Sequence, residues 1–424
     1  MYNAHFTLTA SWPKNNRDTA ITRAKKDKDL YYDLIIIGGG IAGLWLLNDL
    51  CQRGYNAILF EKNALGSDQT IASQGMIHGG VKYALSGALN KSSETIGDMP
   101  PLWEICLQGN GPVDLSKTKV LSDAFYLWST QSLGSKLTSF FATKALRGRA
   151  EKVKGENRPE VFQHTDFKGN IYKLIDLVLD VPSLVANLAE NYRSRIFKID
   201  WREASLETDV RGLVSLKINN KHLCAQRFIF SAGEGNEQLL SQLGCSEPKM
   251  QRRPLQQVVV KHDYLQPIYA HCMGTKPFPR LTISSHKTKD DRAVWYLGGD
   301  LATENVNTPA NQLIDRAKEE LFELFPWVDF GNTEWKTIKF NRAEPKQKNL
   351  IKPDKAFADN ATGVSNVVVC WPTKLTLAPS LAIEVNQLLN RDEVLPRHSD
   401  KEVTDALADI EFPDIAIPFW DRLF

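Results

Sequence analysis

Three glycines and one acid carry the first chemistry that can be read from this chain. Gly38, Gly40 and Gly43 are spaced as G-x-G-x-x-G within Gly38-Gly39-Gly40-Ile41-Ala42-Gly43. Glu61 follows roughly twenty residues on, where such a fingerprint places its ribose-binding acid. This is chemistry of holding. Gly38 permits a tight turn, Gly40 lets a pyrophosphate approach the backbone, and Gly43 lets the next helix pack closely. Ile41 and Ala42 open that helix, whose unpaired N–H groups and positive dipole end favour phosphate. The arrangement implies an adenine dinucleotide. After the acid come Lys62, Gln69, Thr70, Ser73, Gln74, Gly75 and Met76. A loop of such small and hydroxyl residues lets backbone N–H groups reach a second phosphate and a flat ring.

Regular elements must position these groups. Leu34-Ile35-Ile36-Ile37 reads as a buried parallel strand running into the glycines. Leu44 to Leu50 reads as a helix that stops near Gly54, and Ala57 to Phe60 as a second strand ending on Glu61. Further on, Arg227 to Phe230 is strand-like and leads into Ser231-Ala232-Gly233, while Asn366 to Cys370 leads into Trp371-Pro372-Thr373-Lys374-Leu375-Thr376. Strands are also predicted at 123–128, 256–260, 281–283 and 294–299, with a hairpin around Asn219-Asn220.

The run from Tyr32 to Tyr83, with Ile77-His78-Gly79-Gly80-Val81-Lys82-Tyr83 at its end, resembles the FAD-dependent oxidoreductase superfamily of D-amino acid oxidase and flavin-linked glycerol-3-phosphate dehydrogenase. The glycerol-3-phosphate branch ends this loop in a similar Ile-His-Gly-Gly-x-Arg-Tyr. The resemblance favours FAD over NAD, bound non-covalently. It implies an α/β fold: a discontinuous Rossmann-like FAD-binding domain with a second, α+β substrate domain on a mainly antiparallel sheet. Ala232 and Gly233 resemble the second dinucleotide contact. Lys374, Leu375 and Thr376 match the last cofactor segment, although Trp371 and Pro372 replace its glycines. A cation there would stabilise reduced flavin. Lys82 and Tyr83 match the branch's Arg-Tyr, and Arg342 resembles its anion-gripping arginine. One match fails. Where the branch has Gly-Ser-His, this chain has Leu255-Gln256-Gln257, and an amide is no general base. His78 or His271 is then the candidate base.

The chain has 424 residues, a net charge of +2 and 42% hydrophobic content. That length suits two domains, and the near-neutral balance argues against nucleic-acid binding. The expected division is a flexible extension at 1–29, an FAD-binding domain from 30–95, 176–250 and 335–395, a substrate domain from 96–175 and 251–334, and a tail at 396–424. The six scattered cysteines suggest neither a disulfide framework nor a metal motif. No secretion signal is evident, so a cytoplasmic location is expected. Leu133 to Arg149 is basic and amphipathic; it either packs on its own domain or touches a membrane surface on the cytoplasmic face.

No second G-x-G-x-x-G follows a strand. Electrons are therefore expected to enter from a small, anionic organic substrate and to leave to oxygen, quinone or a protein acceptor. The reaction expected is oxidation of a C–H bond beside a hydroxyl or amine, by hydride transfer to flavin N5. The alternatives are glycerol-3-phosphate oxidation proper, action on a macromolecule such as tRNA, and a non-enzymatic FAD-binding partner. The apolar residues Phe412, Ile415, Ile417, Phe419, Trp420 and Phe424 are either an interaction tail or a cover for the chain's own surface.

Overall fold

The computed structural model describes residues 29–80, 96–133, 150–264, 266–276, 278–350, 353, 355–397 and 406–424. Lys82, Tyr83 and residues 134–149 lie outside them. Among the described residues no helix is long and apolar enough to cross a membrane.

The first sheet is built on strand Asp29–Ile37. This strand pairs in parallel with Ala57–Glu61 on one side and with Lys221–Phe230 on the other. Strand Ile196–Lys198 extends the parallel set beyond Ala57–Glu61, and Val367–Trp371 extends it beyond Phe228–Phe230. Both faces are covered, so the strands read as unbroken apolar runs. Helix Ile41–Gln52 is buried along its first ten residues, Ile41 to Leu50. With helices Val181–Asn191 and Ala378–Arg391 it forms one apolar cluster on the sheet. One expectation is corrected. The second strand of the Asn219-Asn220 hairpin and the run at 227–230, expected as separate strands, are a single ten-residue strand, Lys221–Phe230. Its first half pairs with Val214–Ile218, its last three residues with Val367–Val369.

Among the described residues the second sheet has eight strands. From one edge they run Glu334–Pro345, Met250–His262, Ala293–Gly298, Pro279–Lys287, Tyr269–Met273, Phe125–Ser129, Asn170–Leu174 and Ala150–Val153. All pairings are antiparallel except that between Tyr269–Met273 and Phe125–Ser129. Its two faces differ. On one, Val258, Val260, Trp295, Leu297, Leu281 and Ile283 pack under helix Ala310–Leu324 through Leu313, Ala317, Leu321 and Leu324. Those four positions recur at helical spacing. The other face carries Arg253, Gln257, Tyr296, Thr282 and His271, which the two-residue repeat of their strands sets together.

The C-terminal stretch joins the two sheets. Leu65 N–H donates to Asp414 O at 2.7 Å, and Ala416 N–H to Leu65 O at 2.9 Å. Farther on, Phe419 and Trp420 pack against Val259, Val294 and Tyr296 of the second sheet. Phe419 and Trp420 thus cover the chain's own surface, whereas Ile415 and Ile417 are exposed.

Candidate functional site

A cavity of about 1270 Å³ lies between the two sheets. That exceeds the usual pocket of a drug-sized ligand. Its walls come from both the first-sheet turns and the polar face of the second sheet.

At the first-sheet end the walls are largely backbone. Gly38 sits at φ +114°, and a Cβ there would lie 2.6 Å from the backbone of Ala232. A Cβ at Gly43 would lie 1.9 Å from the carbonyl oxygen of Gly38. Neither position admits a side chain. At Gly40 the only near atom among the described residues is Thr70 Oγ1, at 3.2 Å, and its backbone lines the cavity. The helix that follows has no side-chain cap from Gly40, and Ile41 N–H donates to Thr70 Oγ1. Its first turn, Ile41 and Ala42, lines the cavity. Glu61 is buried, with one oxygen accepting from Gly39 N–H at 2.6 Å and the other from Asn63 N–H at 2.7 Å. Each oxygen keeps a lone pair for a hydroxyl. Lys62, Gln69, Thr70, Ser73, Gln74 and Met76 line the cavity as well. Gln69 Oε1 also accepts from Ala343 N–H at 3.0 Å, tying this loop to the second sheet.

The other two segments meet this turn. Ala232 and Gly233 line the cavity, and Ser231 Oγ donates to the carbonyls of Ile37 and Gly38. Buried Asn236 accepts from Ala232 N–H and donates to Cys370 O, clamping the ends of two strands. Trp371 and Pro372 stand where the branch has glycines, and the backbone finds another path. The Trp371 indole donates to Gly233 O at 2.9 Å. Thr373 takes the left-handed turn at φ +63°, with Oγ1 donating to Lys355 O. A β-branched residue there is strained. Lys374 and Leu375 line the cavity.

Four expected residues, Gly43, Gly75, Thr376 and His78, stand behind the wall rather than on it. Gly75, at φ +71°, packs against Leu179 O, where a Cβ would come within 2.1 Å. Thr376 is fully buried; its Oγ1 accepts from His78 N–H and its carbonyl accepts from the Trp103 indole. His78 is buried and is not a lining residue.

At the second-sheet end the walls are side chains. Arg253 and Arg342 stand directly opposite one another on paired strands, and Leu255, Gln257 and Phe340 alternate beside them. Like charges so placed repel. Glu344, fully buried, accepts from Arg253 Nε and Nη2 at 2.6 Å each. Gln257 Oε1 accepts from the Tyr296 hydroxyl at 2.6 Å. Gln74 Nε2 reaches across from the first-sheet loop to donate to Tyr296 O at 2.9 Å. His271 lines the cavity with Nδ1 2.8 Å from Thr282 Oγ1. Of this set the sequence reading named Arg342, Gln74, Gln257 and His271. It missed Arg253, Thr282, Tyr296 and Glu344. The visible signal for Arg253 was the two-residue step that runs from it through Leu255 to Gln257.

A backbone cradle at a helix start, a carboxylate with spare lone pairs and a cavity too large for a small ligand fit a dinucleotide. The model of the family described as DAO, FAD dependent oxidoreductase, matches residues 33–356. The chain belongs to this family. It is 45% identical over 393 residues to a probable FAD-dependent oxidoreductase of Pseudomonas aeruginosa, which covers 92% of this chain and 98% of that one. The crystal structure of an FAD-dependent oxidoreductase from that organism aligns at a TM-score of 0.81, over 94% of this chain and 99% of that one, at 39% identity. A glycine oxidase from Geobacillus kaustophilus shares the fold at a TM-score of 0.56 and 15% identity, covering 85% of this chain and 95% of its own. The chain is thus an FAD-dependent enzyme. The lining residues that would hold FAD are those of the cradle: Gly38, Gly40, Ile41 and Ala42, then Glu61 and Lys62, then Gln69, Thr70, Ser73, Gln74 and Met76, with Ala232-Gly233 and Lys374-Leu375.

Proposed function

We propose that this enzyme oxidises the C–H bond beside an amine or hydroxyl of a small carboxylate. One observation carries the reading: a single cavity joins the dinucleotide cradle to the wall bearing Arg342, Gln257 and His271. Bound FAD would accept the hydride at N5. Arg342 grips the substrate anion through the forked donors of its guanidinium. Gln257, held by Tyr296, offers an amide N–H to a polar group on the substrate but takes no proton. His271 takes the proton: when Nδ1 donates to Thr282 Oγ1, Nε2 keeps the lone pair. Lys374 lends positive charge at the cradle end. Glu344 absorbs the two donors of Arg253, so that arginine adds little net charge to the wall. This supports a singly charged carboxylate over a phosphate dianion. His78 stands off the wall, which supports a non-covalent cofactor.

The test is anaerobic bleaching of the holoenzyme against amino acids, 2-hydroxy acids and glycerol 3-phosphate. Bleaching by a carboxylate compound, with flavin released to the supernatant on acid precipitation, is the expected result. Bleaching by glycerol 3-phosphate alone would overturn the assignment.

A further inference from the structure

Away from the cavity, three side chains of different chemistry converge on one point. Asp29 and His222 are register partners on paired parallel strands, and Cys224 is two residues beyond His222 on the same face. His222 Nδ1 lies 3.2 Å from Asp29 Oδ1 and 3.7 Å from Cys224 Sγ. One ligand atom from each residue lies within 4.8 Å of the other two.

Protons alone serve this triad poorly. A single ring nitrogen faces both a carboxylate, which only accepts, and a thiol. If Nδ1 carries hydrogen, it satisfies Asp29 and leaves the thiol contact unused. If Nδ1 carries the lone pair, it meets the carboxylate lone pairs head-on. A cation at the centre removes the conflict, because all three groups then turn lone pairs inward.

We propose that Asp29, His222 and Cys224 form a binding site for a divalent transition metal of the zinc type. Zinc takes nitrogen and oxygen at ~2.0–2.2 Å and sulfur at ~2.3 Å in a tetrahedron, so neighbouring ligand atoms stand roughly 3.3–3.6 Å apart. The two contacts that include Nδ1 already bracket that spacing. Thiolate with imidazole selects against calcium and magnesium, which take oxygen. His222 and Asp29 have side chains 35% and 23% exposed. An ion can therefore enter, and water can complete the fourth position. Tyr31, two residues on from Asp29 and on the same strand face, stands beside the site where an outer-shell group would support the ligating carboxylate. Binding releases the thiol proton, and His222 binds as the neutral ring.

The role is structural. Asp29 begins the strand whose far end, Ile37, meets the glycine turn. At ~3.3 Å per residue the two ends are about 26 Å apart. The metal would clip the starts of two central strands and take no part in the redox step.

The experiment is titration of the chelator-treated holoenzyme with Zn²⁺ by calorimetry, alongside Cys224→Ser, His222→Ala and Tyr31→Phe. One saturable site is expected, weakened by at least about tenfold in the first two variants and by about tenfold in the third. Flavin absorbance should be unchanged throughout. Zn²⁺ should also slow alkylation of Cys224, read by peptide mapping. No saturable binding, or equal binding by wild type, Cys224→Ser and His222→Ala, would overturn the site.

Discussion

The two ends of the cavity are made of different material. At the first-sheet end the ligand would meet backbone: the turn Gly38–Gly43, a helix start, and carbonyls clamped by Ser231 and Asn236. At the second-sheet end it would meet side chains held out from strands paired far apart in sequence, such as Arg253 opposite Arg342. Backbone surfaces suit a ligand that never changes, because atoms that cannot move are already in place. Side-chain surfaces suit a ligand under selection, because one substitution alters the chemistry and leaves the chain path alone.

Mutations can break this contrast. The largest effect is expected at Gly43→Ala. Its Cβ would overlap the Gly38 carbonyl at 1.9 Å, and forced repacking there costs about 3 kcal/mol. Cofactor content after purification and the denaturation midpoint should both collapse. Retained FAD would break the contrast at its firmer end. Glu344→Gln should cost about 3 kcal/mol as well, since it leaves the Arg253 charge facing Arg342 without its buried partner. Urea unfolding measures it, and a change below about 1 kcal/mol would mean that the pair does not bind the wall together.

Arg342→Met should leave flavin content and stability within experimental error. It should raise KM for the substrate found by bleaching by ten- to a hundredfold, about 1.4–2.8 kcal/mol of lost binding. Loss of FAD instead would merge the two ends.

A further contrast concerns pH. Burial lowers the His286 pKa to about 3 from its ordinary 6.5, so the ring is neutral in the fold. The unfolded chain protonates first as pH falls, so stability is full above about pH 7 and declines between pH 6.5 and 3. His286→Gln should flatten the decline by up to about 1.4 kcal/mol per pH unit over that window. Thermal melts from pH 7 to 4.5 would show it, and parallel curves would refute it. The smallest change is expected at Thr373→Gly. Relief of the φ +63° strain and loss of the hydrogen bond to Lys355 nearly cancel, leaving a shift within about 1 kcal/mol.

Legibility followed the same division. The strand at Leu34–Ile37, the helix after Gly40, the strand to Glu61 and the turns at Ala232 and Lys374 were all readable, because each is announced by neighbours in the chain. What was not readable depends on partners distant in the chain, 91 residues away in the case of Arg253 and Glu344. No local pattern sets Arg253 opposite Arg342 or places Glu344 beneath Arg253. The run from 222 to 230 looked like two strands because its pairing partner changes midway. Helix Ala310–Leu324 had a readable period that the strand-centred reading passed over. The left-handed turn was hidden because it falls at Thr373, a β-branched residue that rarely marks one.

The pairing of Leu65 with the segment at 414–416 has a consequence for how the protein is made. The loop that follows Glu61 leaves the ribosome early, yet the backbone groups that brace it are some 350 residues later. The strand at Val367–Trp371 completes the parallel sheet almost as late. Until then the glycine turn has a ready N-terminal half and no floor. Chains released early should fail to retain flavin even though they contain the whole fingerprint. During synthesis the exposed edge of Lys221–Phe230 is the surface that most needs a chaperone.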